Sequence, residues 1–124
     1  MKDPRPPLLL VDDHPGVRRL IQVALRDLAA VDEAPDWSTA VALLEERDYR
    51  VVLLDLGLPG APTPVSMIQA VQARRPSAAV VVITGRDVAL SPLPPGVTLL
   101  GKPFDIADLR LMVAGVLDPG TGGG

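Results

Sequence analysis

Cysteine is absent from this chain, so neither a disulfide framework nor a thiolate site is available to it. Aromatic residues make up only 2% of the sequence, one each of Trp, Tyr and Phe, while 48% of the residues are hydrophobic. Any core must therefore be built from Val, Leu, Ile and Ala. No apolar run reaches the roughly 18 residues that a membrane-spanning helix needs. Met1-Lys2-Asp3-Pro4-Arg5-Pro6-Pro7 leads into only a few apolar residues, so a signal peptide is not expected and a cytoplasmic location is the default. Basic charge is also lacking: the net charge is -3, which gives no footprint for direct nucleic acid binding. At 124 residues, the chain has the length of one domain with a sizeable core.

What the chain does have is four aliphatic runs, each ending in or just before a residue able to handle a phosphoryl group. Leu8-Leu9-Leu10-Val11 ends in Asp12-Asp13, and Val51-Val52-Leu53-Leu54 ends in Asp55. Val80-Val81-Val82-Ile83 ends in Thr84, and Val97-Thr98-Leu99-Leu100-Gly101 ends in Lys102-Pro103. Continuous aliphatic runs are the mark of parallel strands buried on both faces. Ligands of open α/β sheets bind outside the carboxyl ends of such strands. If the four runs pair, three carboxylates, a hydroxyl and an amine converge on one crevice.

Between the runs the period changes to that of helices. Val17, Leu20, Ile21, Ala24, Leu25 and Leu28 predict a helix over about 15–29, with Pro15 in its first turn. A short strand fits about 31–34. Asp36 or Ser38 can cap a helix reaching about 47, with Ala40, Val41, Leu43 and Leu44 apolar. Gly57 to Pro64 is a loop by its Pro and Gly density. A helix over about 64–75 turns Val65, Ile68 and Val71 inward, and one over about 105–117 lines up Ile106, Leu109, Met112, Val113 and Val116. Pro92, Pro94 and Pro95 preclude a regular helix there, leaving a turn or two near 86–91 at most. Residues 1–7 read as a lead-in, 8–117 as the domain and 118–124 as a flexible tail. Strands alternating with helices predict a doubly wound parallel sheet with helices on both faces.

Three carboxylates close together resist ionising unless a cation compensates them. Oxygen-only ligands select a hard ion, and few protein ligands with several waters suit Mg²⁺. Asp12, Asp13 and Asp55 would supply carboxylates and Gly57 a backbone carbonyl. Asp55 could then remain ionised and attack phosphorus. Lys102 could pair first with that carboxylate and then with a phosphoryl oxygen. The Thr84 hydroxyl could donate to another. Each residue also has a plainer reading. The acidic pair could cap a helix, Asp55 could be a loop carboxylate, Thr84 an ordinary strand end and Lys102 a solvated lysine. Their joint spacing favours the site. His14 reads as a rim residue rather than a metal ligand, because a lone His is no metal motif. Arg18 and Arg19 read equally as a docking patch or a solvated face, and Trp37 as packing partly against the second helix. Gly57 and Arg86 would lie near a phosphoryl group and could tune water access to it.

The chain resembles a receiver domain of two-component response regulators over about residues 8–117. The residues that carry the resemblance are Val11-Asp12-Asp13-His14-Pro15, Leu54-Asp55-Leu56-Gly57-Leu58-Pro59-Gly60, Ile83-Thr84-Gly85 and Gly101-Lys102-Pro103-Phe104. Each motif alone is weak; four in order, each ending an apolar run, are specific. The resemblance implies a flavodoxin-like five-stranded sheet in order 2-1-3-4-5. It implies Asp55 as phosphoacceptor, Thr84 as switch hydroxyl and Lys102 as phosphate sensor. Asp12 and Asp13 would hold Mg²⁺, Asp13 the more directly, and the Lys102-Pro103 bond would be cis. The expected donor is a histidine kinase or histidine phosphotransfer protein, with an unknown effector. Catalysis would be confined to the chain's own phosphorylation and slow dephosphorylation.

Three departures from the family pattern bear on readout. The family's fourth helix is shortened or missing, Leu99 stands where a switch aromatic is common, and Pro62-Thr63-Pro64 replaces an Asp-Gly turn. They shift the expected readout to the loop at 85–96 or to the helices at 15–29 and 105–117. They also point to a monomer or a weak dimer. The domain would be stand-alone or the receiver of a hybrid kinase. The alternative is a receiver-like interaction module that works without phosphorylation. An aspartyl phosphatase on another α/β fold is disfavoured, because Gly57 stands where such enzymes need a second carboxylate and no cap encloses a substrate.

Overall fold

The computed structural model describes residues 4–85 and 94–117. Strands β1 (Pro7–Val11), β2 (Ala30–Ala34), β3 (Val51–Asp55), β4 (Ala79–Thr84) and β5 (Val97–Gly101) form one sheet. Its order is β2-β1-β3-β4-β5, and every pairing is parallel. The helices α1 (Pro15–Leu25), α2 (Trp37–Glu46), α3 (Pro64–Arg74) and α4 (Ile106–Leu117) are the four among the described residues. The flavodoxin-like order expected from the sequence is thus the order observed. The short helix expected near 86–91 lies outside the described residues, as do Arg86 and the tail at 118–124.

The aliphatic runs follow from burial on both faces of the sheet. Side chains alternate across a strand. Leu9, Val11, Val52, Leu54, Val80 and Val82 enter one core, with Ala40 and Leu44 of α2 and Met67, Ile68 and Val71 of α3. Leu8, Leu10, Val51, Leu53, Val81 and Ile83 enter the other, with Ile21 and Leu25 of α1 and Leu109 and Val113 of α4. Two cores leave no room on these strands for polar residues until the strands end. Polar chemistry is therefore confined to the strand ends and the loops beyond them.

Three details differ from the sequence expectation. Helix α1 stops at Leu25 rather than near 29, because Leu28 and Ala29 both donate back to the Leu25 carbonyl and Ala30 already donates to Pro6 at the start of β2. Leu20 and Val65 are exposed, although their spacing matched the inward stripes. In α3 the buried stripe is Met67, Ile68 and Val71, which rotates Val65 outward. Trp37 is itself the first residue of α2 and packs against the first core.

Two helix starts are capped by side chains. Asp36 accepts from the Thr39 N–H at 2.8 Å. Thr63 accepts from the Ser66 N–H at 3.2 Å, with Pro64 in the first turn of α3. The expected effect of Thr63→Ala is a loss of about 1 kcal/mol, read by urea denaturation. A change near zero would mean that Pro64 alone starts the helix.

Candidate functional site

The parallel register brings the strand ends level. Leu54 of β3 lies beside Val11 of β1, and Asp55 lies beside Ile83 of β4. Thr84 lies beside Gly101 of β5. Backbone bonds continue the ladder one step past the strands. The Asp12 N–H donates to Ala34, that of Leu56 to Ile83, and that of Lys102 to Thr84, at 3.1, 3.1 and 2.7 Å. These bonds fix the backbone under Asp12, Asp55 and Lys102. The Lys102–Pro103 peptide bond is cis, as the resemblance implies.

Asp12 is fully buried and Asp55 is 3% exposed, and no other charged residue among those described is buried. Asp55 Oδ1 accepts the Gly57 N–H at 2.9 Å. Its Oδ2 lies 3.4 Å from Lys102 Nζ. The two oxygens are thus held apart in role, one by a backbone dipole and the other by a full positive charge. Asp12 Oδ1 accepts the His14 N–H at 2.8 Å. Asp12 Oδ2 and Asp13 Oδ1 are buried and make no hydrogen bond. Burial, more than the nearby Asp55 charge, pushes the Asp12 carboxyl above its ordinary value, against the pull of the His14 N–H and the charges on Lys102 and His14.

Asp12, Asp13, His14 and Asp55 each offer one ligand atom, all within 4.8 Å of one another. Two orphaned carboxylate oxygens beside a third carboxylate fit a divalent cation, because an ion would satisfy the oxygens and offset their repulsion. The cleft beside them is lined by His14, Asp55, Leu56, Gly57, Thr84, Gly85 and Lys102. The structure therefore brings Asp12, Asp13, Asp55, Gly57, Thr84 and Lys102 to one cleft, while Arg86 lies outside the described residues. A Cβ at position 57 would lie 3.4 Å from Asp55 Oδ1, so a larger side chain there would crowd the approach to the carboxylate.

Two residues take roles that pattern did not reveal. Arg18 pairs with Glu33 at 3.1 Å and donates to the Asp12 carbonyl at 2.8 Å, so it braces the acidic loop rather than a partner. Arg19 stays exposed. Tyr49 is buried in the first core, with its hydroxyl donating to Asp32 at 2.7 Å. No local signal marks these pairings, which join residues 15 or more positions apart.

A parallel five-stranded sheet with helices on both faces, and an acidic cleft closed by a lysine at its strand ends, is the architecture of the receiver class of signalling modules. The family model of the response regulator receiver domain matches residues 8–114, and the chain belongs to that family. Its role is accordingly signal transduction in two-component systems, where receiver domains interact with histidine kinases or phosphotransfer proteins. The response regulator protein PilR of Pseudomonas aeruginosa is 32% identical over 114 residues, covering 88% of this chain. This chain spans only 25% of PilR. The chemotaxis protein CheY of the same organism is 35% identical over 68 residues, 53% of this chain and 54% of CheY. The receiver domain of the hybrid histidine kinase CckA superposes with a TM-score of 0.77 at 28% identity, over 90% of this chain and 98% of that one. A CheY-like receiver of Methanospirillum hungatei shares the fold with a TM-score of 0.85 at 21% identity, over 97% of this chain and 99% of that one. No helix among the described residues is long and apolar enough to cross a membrane.

Proposed function

We propose that this domain takes a phosphoryl group from a phosphohistidine onto Asp55 in a Mg²⁺-dependent reaction, and that the modification switches the binding of a partner. The observation that carries the reading is the state of the Asp55 carboxylate. It is nearly buried, held at Oδ1 by Gly57, faced at Oδ2 by Lys102, and adjoined by two orphaned carboxylate oxygens. A carboxylate attacks phosphorus, the bond from phosphorus to the donor imidazole nitrogen breaks, and that nitrogen leaves with the electron pair. Such a site works by positioning and charge neutralisation rather than by proton transfer. Gly57 orients the nucleophile. Lys102 balances its charge before transfer and lies within reach of a phosphoryl oxygen after it. Thr84, at the end of the adjacent strand, lines the same cleft.

Asp12, Asp13, Asp55 and the Gly57 carbonyl would hold Mg²⁺, with Asp13 the more direct ligand of the acidic pair. The ion supplies positive charge against the phosphoryl oxygens. The chain's own chemistry stops at its phosphorylation and a slow hydrolysis that resets it. Its donor is a histidine kinase or a histidine phosphotransfer protein.

Incubation with acetyl phosphate and Mg²⁺ should add about 80 Da by intact mass. The gain should vanish in Asp55→Ala and in EDTA. One observation favours a second reading, a module that binds partners without phosphorylation: Leu99 is 44% exposed on β5, where a switch aromatic would be expected. No mass gain, together with no binding of beryllofluoride, would select that reading.

A further inference from the structure

We propose that Arg18 and Glu33 are positioning residues for the acidic site: together they hold the Asp12–Asp13 peptide in the orientation that lets Asp13 meet a divalent cation, and so set the affinity for Mg²⁺. The inference rests on the reading of Asp12, Asp13 and Asp55 as a divalent-cation site and adds two residues outside the ligand set.

Asp13 depends on its backbone for its place. Asp12 is tied on both sides, its N–H to the Ala34 carbonyl and its Oδ1 to the His14 N–H. Asp13 is the next residue along. Its Oδ1 accepts no hydrogen bond, and the His14 ring that pairs with it at 3.1 Å is itself 65% exposed. The direction of the Asp13 side chain therefore follows the peptide that carries it. That peptide is planar, so fixing its oxygen fixes the whole unit. Arg18 Nη1 donates to this oxygen, the Asp12 carbonyl, at 2.8 Å.

Arg18 is held in turn. Its Nε donates to Glu33 Oε1 at 3.1 Å, and Gln22 Nε2 donates to Glu33 Oε2 at 3.2 Å and to the Val31 carbonyl at 3.3 Å. Arg18 and Gln22 stand four residues apart on one face of α1, and Glu33 and Val31 belong to β2. A continuous brace thus runs from β2 across α1 to the loop after β1. The Arg18 side chain is only 17% exposed. A guanidinium suits the position because its rigid fork donates in two directions at once, which a lysine ammonium does not match. An exposed ion pair alone contributes little to stability. What gives this one a role is its second arm, on the backbone of a ligand residue.

Positioning and simple charge make opposite predictions. Arg18 is a cation near a cation site, so by charge alone its removal would tighten Mg²⁺ binding, and removal of the Glu33 charge would weaken it. By positioning, both changes weaken it. The test is a Mg²⁺ titration of the full chain, of Arg18→Met, of Glu33→Gln and of the double variant, followed by amide chemical shifts at about 0.15 M salt, where long-range charge effects are screened. Each single change should weaken Mg²⁺ binding about tenfold, at the low end of the range for groups that orient metal ligands. The double variant should be no worse than the weaker single one, because both act through one contact. In the acetyl phosphate reaction, half-saturating Mg²⁺ should rise by the same factor, while the rate at saturating Mg²⁺ stays within about twofold of wild type. If Arg18→Met does not fold, the near-isosteric Glu33→Gln decides alone. Tighter binding in Arg18→Met, or unchanged affinity in Glu33→Gln, would overturn the inference and leave the Mg²⁺ reading standing. Failure of the wild-type chain to bind Mg²⁺ would overturn both.

Discussion

Leu53→Ala is expected to lower the free energy of unfolding by about 3–5 kcal/mol, measured by urea denaturation with an unchanged slope. Leu53 is the centre of the central strand and is fully buried. It stands between Leu10 of β1 and Val81 of β4, and shares its core with Ile21 and Leu25 of α1 and Leu109 and Val113 of α4. Truncation removes three carbons, one methine and two methyls, from water-free surroundings. It leaves a cavity that the four surrounding elements would have to close together. The sheet is pinned from both faces, so collapse into the gap is limited and the cost lies at the upper end of the range for such changes. Against a total stability of about 5–15 kcal/mol, that loss puts folding itself at risk. The reason is partly compositional. With one residue each of Trp, Tyr and Phe, Phe104 is the one ring among the described residues that packs against this core, and it does so only partly buried. A loss below about 1 kcal/mol would mean that the layer of α1 and α4 is not closed over β3 as described.

Asp12→Asn is expected to stabilise the cation-free protein by about 1–3 kcal/mol and to weaken the stabilisation that added Mg²⁺ provides. Asp12 is a buried carboxylate with one oxygen unpartnered, next to Asp55. Its raised pKa states the cost of the charged form in the fold. The amide removes that charge, and its N–H₂ group can donate to the orphaned Asp13 Oδ1. The sign of the pH dependence follows. A carboxyl group with a raised native pKa binds its proton more readily in the fold than in the unfolded chain. Wild-type stability from this group therefore rises as pH falls through the native pKa towards the ordinary 3.8. The advantage of Asp12→Asn should be full at neutral pH and should shrink across that window. Chemical denaturation in EDTA at several pH values reads both effects. An advantage that grows as the pH falls would contradict the assignment of burial as the cause.

Much of this arrangement is legible in the sequence, for a physical reason. Strands covered on both faces must be aliphatic throughout, so Val51-Val52-Leu53-Leu54 and Val80-Val81-Val82-Ile83 announce both their position in the sheet and the place where polar groups can next appear. The four strand ends therefore locate Asp12, Asp13, Asp55, Thr84 and Lys102 without any tertiary information. What is not legible depends on side-chain direction and on long-range pairing. The apolar stripe of α1 includes Leu20 by spacing, yet the helix is rotated so that Ile21 and Leu25 take the core and Leu20 faces out. The early end of α1 is set by hydrogen bonds that return the chain to β2 beside Pro6, a partner more than twenty residues earlier. Arg18 looks like a surface charge until Glu33 arrives beside it from β2.

The central claim is that the Asp55 carboxylate, and no other group, receives the phosphoryl. The most direct measurement is borohydride reduction of the protein after treatment with acetyl phosphate and Mg²⁺, followed by peptide mass spectrometry. Reduction converts an aspartyl phosphate to homoserine and leaves a free carboxylate untouched, so it marks the acceptor covalently. The account predicts homoserine at position 55 alone. Homoserine at position 12 or 13, or reduction at none of the aspartates, would contradict it.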